Sequence, residues 1–267
     1  MSLTATEAPP GRGLVPGSYA LGMLMREMRN RTLDTSNFKP LPEDLGEPTL
    51  DEGYTEIRQQ AWLNSLRLAD HADYARWTLE QLDEVEQHRD RLRNWVTAAA
   101  LSKRKNVRPK SLNGIAFGNV GSGKSTAIIA AGGYAAANGL LPRYLKHTHY
   151  LQWLRPNGAP KGYTEQQIRR VFAECDLLVL DELCGEMDNA NDWVRKESGD
   201  LIDARVASGR PTLCATNLND ERIGEIMGSR FLSRLGGGAS LFEMVGEDRR
   251  RPVQWGRKPE EQEPTWG

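Results

Sequence analysis

The sequence predicts an α/β fold in which helices flank a parallel β-sheet, with a small α-helical region ahead of it. From Gly114 onward, short β-prone runs alternate with segments of helical periodicity, as expected for a sheet wrapped by helices. Before Gly114, apolar residues instead recur three and four positions apart, which is the spacing of one helical face. The change of pattern marks the start of the predicted sheet.

Three apolar helical stripes precede the sheet. They comprise Leu21, Leu24, Met25 and Met28, then Ile57, Ala61, Trp62 and Leu66, and finally Leu92, Trp95, Val96 and Ala99. The turn-rich stretch 37–48 separates the first stripe from the second. After the third stripe comes a basic connector with Lys103, Arg104, Lys105, Arg108 and Lys110. Residues 1–18 are rich in Pro, Gly, Ser and Thr, so we expect the chain to start in disorder.

Four β-prone runs make up the predicted sheet, at 115–117, 143–145, 177–180 and 212–215. We expect a helix over 124–137 because Asn138 and Gly139 form a good C-terminal stop. A second helix should begin at Thr164, since Thr164 and Gln167 have the spacing of a capping box. Residues 256–267 are charged and contain prolines, and we expect a disordered tail there.

A glycine-rich motif lies between the first predicted strand and the helix that follows it. It comprises Gly118, Asn119, Val120, Gly121, Ser122, Gly123, Lys124 and Ser125, and it fits the P-loop pattern throughout. Glycines let backbone N–H groups close around phosphate oxygens, and the following helix directs its positive end at the anion. We expect Lys124 to reach the β- and γ-phosphates of ATP and Ser125 to bind Mg²⁺.

An acidic pair completes the predicted nucleotide site. Four apolar residues at 177–180 indicate a buried strand, and Asp181 and Glu182 follow at its carboxyl end. Asp181 would bind Mg²⁺, while Glu182 would orient or deprotonate the attacking water. The alternative is that the two acids cap a helix.

Motif order and spacing over residues 75–255 resemble AAA+ ATPases, and in particular the DnaC/IstB-like branch. The resemblance rests on the P-loop, on the acidic strand, on 215–218 after a further strand, and on 229–235. It implies a P-loop NTPase fold of the AAA+ type over 75–255, with residues 1–74 as a helical partner-binding region. It also implies an ATPase that self-associates with ATP into a ring or a helical oligomer.

The resemblance assigns roles to further polar residues. Asn217 would be the sensor that reports on the γ-phosphate, although an Asn closing a strand into a turn is the simpler interpretation. Arg234 is the better candidate for an arginine finger inserted into a neighbouring subunit, and Arg230 is the second choice. The alternative for both is a solvated basic face. A further nucleotide contact is expected from Arg249, Arg250 and Arg251, with Arg250 as the candidate, but the sequence alone does not choose among the three.

By the same resemblance, we predict a loader that places a replicative ring helicase on single-stranded DNA during DNA replication. Two alternatives stay open: an IstB-like transposition helper that binds duplex DNA, and an ATP-gated adaptor without significant turnover. The initiator and loader branches carry extra helices before the acidic strand that touch single-stranded DNA. Here these helices carry Arg155, Lys161, Arg169 and Arg170, and Trp153 or Tyr163 could stack on bases, although Trp153 fits a core position equally well.

Composition narrows the class of protein. With 35 Lys and Arg against 36 Asp and Glu, the formal net charge is -1, so DNA contact requires a local basic patch. Neither a transmembrane run nor a signal-peptide pattern is evident, and we expect a cytoplasmic protein without membrane contact. The three cysteines predict reduced, buried thiols. His147 and His149 read as a surface pair rather than a metal site.

Overall fold

The structure is a computed structural model, and it describes residues 50–185, 187–246 and 248, with the side chains of residues 50–53 excluded. The predicted helix around 21–28 and the three arginines at 249–251 lie outside the described residues.

The chain begins with α1 (Leu50–Leu68), two short 3₁₀ helices (Ala72–Arg76 and Leu79–Gln81), α2 (Glu84–Gln87) and α3 (Arg89–Arg104). The α/β region follows, with β1 (Gly114–Gly118), α4 (Lys124–Ala137), β2 (Pro142–Lys146), α5 (His147–Trp153), α6 (Glu165–Glu174) and β3 (Leu177–Asp181). It ends with α7 (Asp192–Ala207), β4 (Thr212–Thr216), α8 (Asp220–Met227), α9 (Ser229–Gly236) and β5 (Ser240–Met244). The helices of this part of the chain are too short or too polar to span a lipid bilayer.

Five parallel strands form one sheet in the order β2-β3-β4-β1-β5, which confirms the predicted fold class. The four predicted strands are all present. The fifth, β5, was missed; Phe242 and Met244 are buried on one of its faces while Leu241 is exposed on the other. It pairs with β1 in register from Gly114 opposite Ser240.

Helices cover both faces of the sheet and enclose two apolar clusters. Side chains from alternate positions of β1 to β4 enter opposite clusters, so that Val179 belongs to one while Leu178 and Leu180 belong to the other. The first cluster includes α1, α3 and α4, and the second includes α5 to α9. Cys175, Cys184 and Cys214 are buried free thiols, as predicted.

Helix α1 packs against β2 and α4, although it precedes the predicted domain boundary at residue 75. Its Trp62 is 4% exposed and lies on Gly132, where an added Cβ would come within 2.3 Å of the ring. Arg143 donates to the carbonyl of Ala61 at 2.7 Å, and the backbone N–H of Tyr144 donates to Ser65 Oγ at 2.9 Å. These contacts make α1 part of the sheet's own core.

Two helix predictions are confirmed in detail. Helix α4 spans Lys124–Ala137, and its cap residue is Asn138. Helix α6 begins after Thr164, whose hydroxyl accepts from Gln167 N–H at 3.2 Å, while the Gln167 side chain accepts from Thr164 N–H at 2.8 Å. Both arms of the predicted capping box are therefore present.

Candidate nucleotide site

The P-loop joins β1 to α4 at the carboxyl edge of the sheet. Gly118 has a φ of 139°, and a Cβ at this position would lie 2.1 Å from the carbonyl oxygen of Met244, so only glycine fits. Gly123 caps α4 with a φ of 88°. The first N–H groups of α4 therefore face the turn, which is the arrangement that binds anions in proteins. This geometry fits the phosphate cradle that the sequence predicted.

Lys124 folds back along the P-loop. Its ammonium donates to the carbonyls of Gly118 at 2.9 Å and Asn119 at 2.5 Å, and the side chain of Ser122 donates to Asn119 O at 2.8 Å. Lys124 lines the cavity and is only 7% exposed, so its ammonium is partly desolvated. An anion there would gain a charge-assisted contact with it.

Asp181 ends β3 and is almost completely buried. Its two oxygens accept from the Tyr144 hydroxyl and from the Glu182 N–H, each at 2.8 Å, and the Ser125 side chain also hydrogen-bonds to it. Burial raises the pKa of Asp181, while these donors oppose that rise. The Ser125 and Asp181 side chains are therefore close enough to bind the same Mg²⁺ ion.

Glu182 projects from the end of the same strand in a left-handed conformation with a φ of 51°. Its carboxylate forms an ion pair with Lys146 Nζ at 3.1 Å. Lys146 ends β2 and lies in register with Asp181, so the neighbouring strand supplies this cation. Left-handed geometry in a non-glycine residue is costly and is often kept where a side chain must be aimed.

One cavity of about 680 Å³ joins these parts. Lys124, Ser125, Asp181, Glu182 and Asn217 all line it, which places the two predicted half-sites and the predicted sensor around one space. Its size is within the range of small-molecule sites. Asn217 follows β4 and is exposed, so its amide is accessible to a ligand.

The first 3₁₀ helix forms a wall of this cavity that sequence reasoning missed. Asp73, Tyr74, Arg76 and Trp77 line it. His71 stacks on Tyr74 at 5.0 Å and on Tyr144 at 5.4 Å, so an aromatic stack connects this wall to the donor of Asp181. The segment follows α1 and carries no motif.

The predicted arginine-finger candidates lie elsewhere. Arg230 and Arg234 project from α9 and both pair with Asp203 of α7, at 2.7 and 3.4 Å. They line a separate cavity of about 280 Å³ with Arg195 and Lys196. Within the described part of the chain, neither arginine lines the nucleotide cavity.

The predicted DNA-binding helices show one clear correction. Trp153 is 7% exposed and packs on Phe172 with their ring centroids 6.1 Å apart, so it is a core residue and not a stacking platform. Tyr163 is 43% exposed, so its ring is accessible, and stacking on a base stays a prediction. Arg169 is paired with Glu197, and Arg170 with Glu174.

The interpretation of His147 as a surface residue is also wrong. His147 is 1% exposed; its Nδ1 accepts from the Cys184 N–H at 3.1 Å, and its Nε2 lies 2.8 Å from Ser198 Oγ. Because Nδ1 is an acceptor, Nε2 carries the proton. Burial lowers the pKa of His147 to about 4, so the ring is neutral at pH 7. The described residues contain no group of three or more His, Cys, Asp or Glu side chains placed to bind a metal on their own.

Comparisons with known proteins concern the sequence and the fold. No model of a known protein family matches the sequence. The replicative helicase loader DnaC of Escherichia coli K12 is 30% identical over 97 residues, which cover 36% of this chain and 39% of DnaC. The match therefore spans about two fifths of the length of that relative.

Two solved structures share the fold. The crystal structure of DnaI matches 67% of this chain and 93% of its own, with 17% identity and a TM-score of 0.51. The crystal structure of the DnaC helicase loader matches 65% of this chain and 99% of its own, with 18% identity and a TM-score of 0.51. At such identities, the likeness concerns the fold.

Proposed function

From the DnaC-like AAA+ family that the sequence match and the shared fold support, we propose that this chain is an ATP-dependent loader of a replicative ring helicase. It binds Mg-ATP, self-associates, places the helicase on single-stranded DNA in the cytoplasm, and hydrolyses ATP to reset or release. The observation that carries the proposal is the single cavity where the P-loop meets Asp181, Glu182 and Asn217. The DnaC match supports helicase loading more than it supports the transposition-helper alternative.

Each residue has a defined part in the proposed reaction. Backbone N–H groups of 118–125 and the Lys124 ammonium would bind the phosphates. Ser125 and Asp181 would hold Mg²⁺, which would supply positive charge beside the phosphates. Glu182 orients the attacking water and accepts its proton once its carboxylate leaves Lys146. Asn217 reports on the γ-phosphate, and Arg250 is proposed as a further nucleotide contact.

Transfer of the host's replicative helicase to a covalently closed single-stranded DNA circle tests this function, because a closed ring cannot thread onto a circle unaided. With Mg-ATP, the wild-type protein should increase circle-bound helicase several-fold. Lys124→Ala should lose tight nucleotide binding, since it removes charge-assisted contacts worth roughly 1.5–3 kcal/mol each, and with it the ATP dependence of transfer. Arg67→Ala, which removes an exposed cation of α1 outside the cavity, is the control.

The same assay locates the helicase contact. We propose that the helicase contact lies in residues 1–74. Because α1 belongs to the core, the informative truncation removes residues 1–48 and leaves α1 in place. It should retain nucleotide binding and lose helicase co-purification. Absence of both transfer and co-purification at full length would refute the loader function.

A further inference from the structure

A basic surface lies at the end of the sheet where the strands begin, opposite the nucleotide cavity. It comprises Lys103, Arg104, Lys105, Arg108, Lys110 and Arg210, here called the basic edge. The first five are exposed and Arg210 is half-buried. Helix α3 ends at Arg104, and Asn106, with a φ of 52°, turns the chain so that Val107 N–H donates back to Ser102 O at 2.9 Å.

Contacts join the basic edge to the strand starts. Lys103 pairs with Asp176, the residue before β3, at 2.5 Å. The Arg108 side chain lies beside Gly209, since a Cβ added to Gly209 would be 3.8 Å from Arg108 Cγ. Arg210 is the next residue and lies just ahead of β4. The strands are parallel and five residues long, so this edge is about 16 Å from the P-loop edge. Its cations cannot serve the phosphates of a nucleotide bound in the cavity.

The charge of the basic edge is largely uncompensated. Residues 101–113 contain no Asp or Glu. Among the described residues, Lys105, Arg108 and Lys110 form no ion pair, and Asp176 is engaged by Lys103. Of the four cations on the helices predicted to bind DNA, Arg169 and Arg170 are paired with acids. Cations in the last turn of α3 interact favourably with the helix dipole, which could explain their presence there. Lys110 and Arg210 lie beyond α3, so the dipole does not explain them.

We propose that the basic edge binds the phosphate backbone of duplex DNA. Protein interfaces have an apolar centre, whereas this surface is polar and cationic, with Leu101 and Val107 as the exposed apolar side chains of 101–113. That segment contains no aromatic residue, and single-strand binding relies on aromatic stacking. A duplex, whose bases are covered and whose phosphates face outward, fits this chemistry. The proposal does not rest on the loader function.

Fluorescence anisotropy with a labelled duplex of arbitrary sequence tests the surface in the full chain. The triple variant K105Q/R108Q/K110Q should bind the duplex about tenfold or more weakly at low salt. The slope of log affinity against log salt between about 50 and 200 mM should fall by up to about 2.7, because each lost phosphate contact removes about 0.9. Affinity for a fluorescent ATP analogue should not change.

A matched triple, R155Q/K161Q/R170Q, removes the same charge from the helices that the sequence singled out for DNA. It should leave duplex affinity within about twofold of wild type. The proposal is overturned if wild type does not bind the duplex, if the two triples weaken binding equally, or if K105Q/R108Q/K110Q weakens single-strand binding more than duplex binding. Loss of helicase co-purification with unchanged duplex affinity would instead assign the surface to an acidic protein partner, and would also overturn it.

Discussion

The acidic residues of the nucleotide cavity are held by side chains from the neighbouring strand. Tyr144 of β2 donates to Asp181 at 2.8 Å, and Lys146 two residues later pairs with Glu182 at 3.1 Å. Asp181 and Glu182 are adjacent in sequence, yet the first is buried and oriented by several donors while the second is accessible and paired with a single cation. This difference suits a fixed metal ligand beside a base that must move.

Tyr144→Phe should raise the Mg²⁺ concentration needed for half-maximal nucleotide binding by roughly tenfold, since removing a partner that orients a metal ligand typically costs 10–100-fold in metal affinity. Phe keeps the ring stacked on His71. Mg²⁺ titration at fixed fluorescent nucleotide is the measurement, and affinity without Mg²⁺ should not change. Tyr134→Phe, which removes a hydroxyl 3.4 Å from Thr97 Oγ1, is the control. An unchanged Mg²⁺ requirement would mean that Tyr144 serves packing alone.

At the scale of elements, the sequence predicted four of the five strands but not which strands lie beside each other. The P-loop and acidic strand were readable because their chemistry requires fixed spacings. Tyr144 and Lys146 were missed because they become part of the site only once β2 is known to lie beside β3. Strand β5 was missed because five residues with two buried apolar side chains give a weak alternating pattern. The two helical interpretations of Trp153, core or DNA contact, share one periodicity, and only packing separates them.

A second feature hidden from sequence is Arg205 on α7, which is fully buried. Its guanidinium donates to the carbonyls of Phe172, Cys175 and Pro211 at 2.7, 3.0 and 2.6 Å, and to Thr212 Oγ1 at 3.0 Å. Burial lowers the pKa of Arg205, with no carboxylate among these partners. The side chain thus ties the ends of α6 and α7 to the starts of β3 and β4.

Arg205→Lys should therefore destabilise the fold by about 2–4 kcal/mol, because a single ammonium cannot satisfy acceptors arranged around a planar fork. For a domain of this size, that corresponds to a fall in Tm of about 5–15 °C. Thermal unfolding followed by circular dichroism measures it. Arg222→Lys, a change at a half-exposed side chain on α8, should stay within about 0.5 kcal/mol. A similar Tm for both variants would show that the buried network contributes little.

At the scale of the whole molecule, the two predicted finger arginines lie away from the nucleotide cavity of their own chain. Arg230 and Arg234 pair with Asp203 on a cavity separate from the nucleotide cavity. Both side chains are more than half exposed, at 79% and 53%. For either arginine to stabilise transition-state charge, it must act on the nucleotide of a second copy, and Arg234 is the candidate that the sequence resemblance favours.

We therefore expect Arg234→Ala to bind nucleotide normally while its turnover falls by roughly 10³-fold or more, as for other fingers supplied in trans. Glu182→Gln should also bind ATP and hydrolyse it slowly, since an amide accepts no proton. Mixing the two inactive proteins should partly restore turnover, because some interfaces then pair an intact Arg234 with an intact Glu182. Phosphate release across a series of mixing ratios measures the rescue, with Arg222→Ala as the control that should turn over normally. If mixed assemblies form and turnover stays absent at every ratio, Arg234 does not act between subunits, and its pairing with Asp203 is a structural contact between α7 and α9.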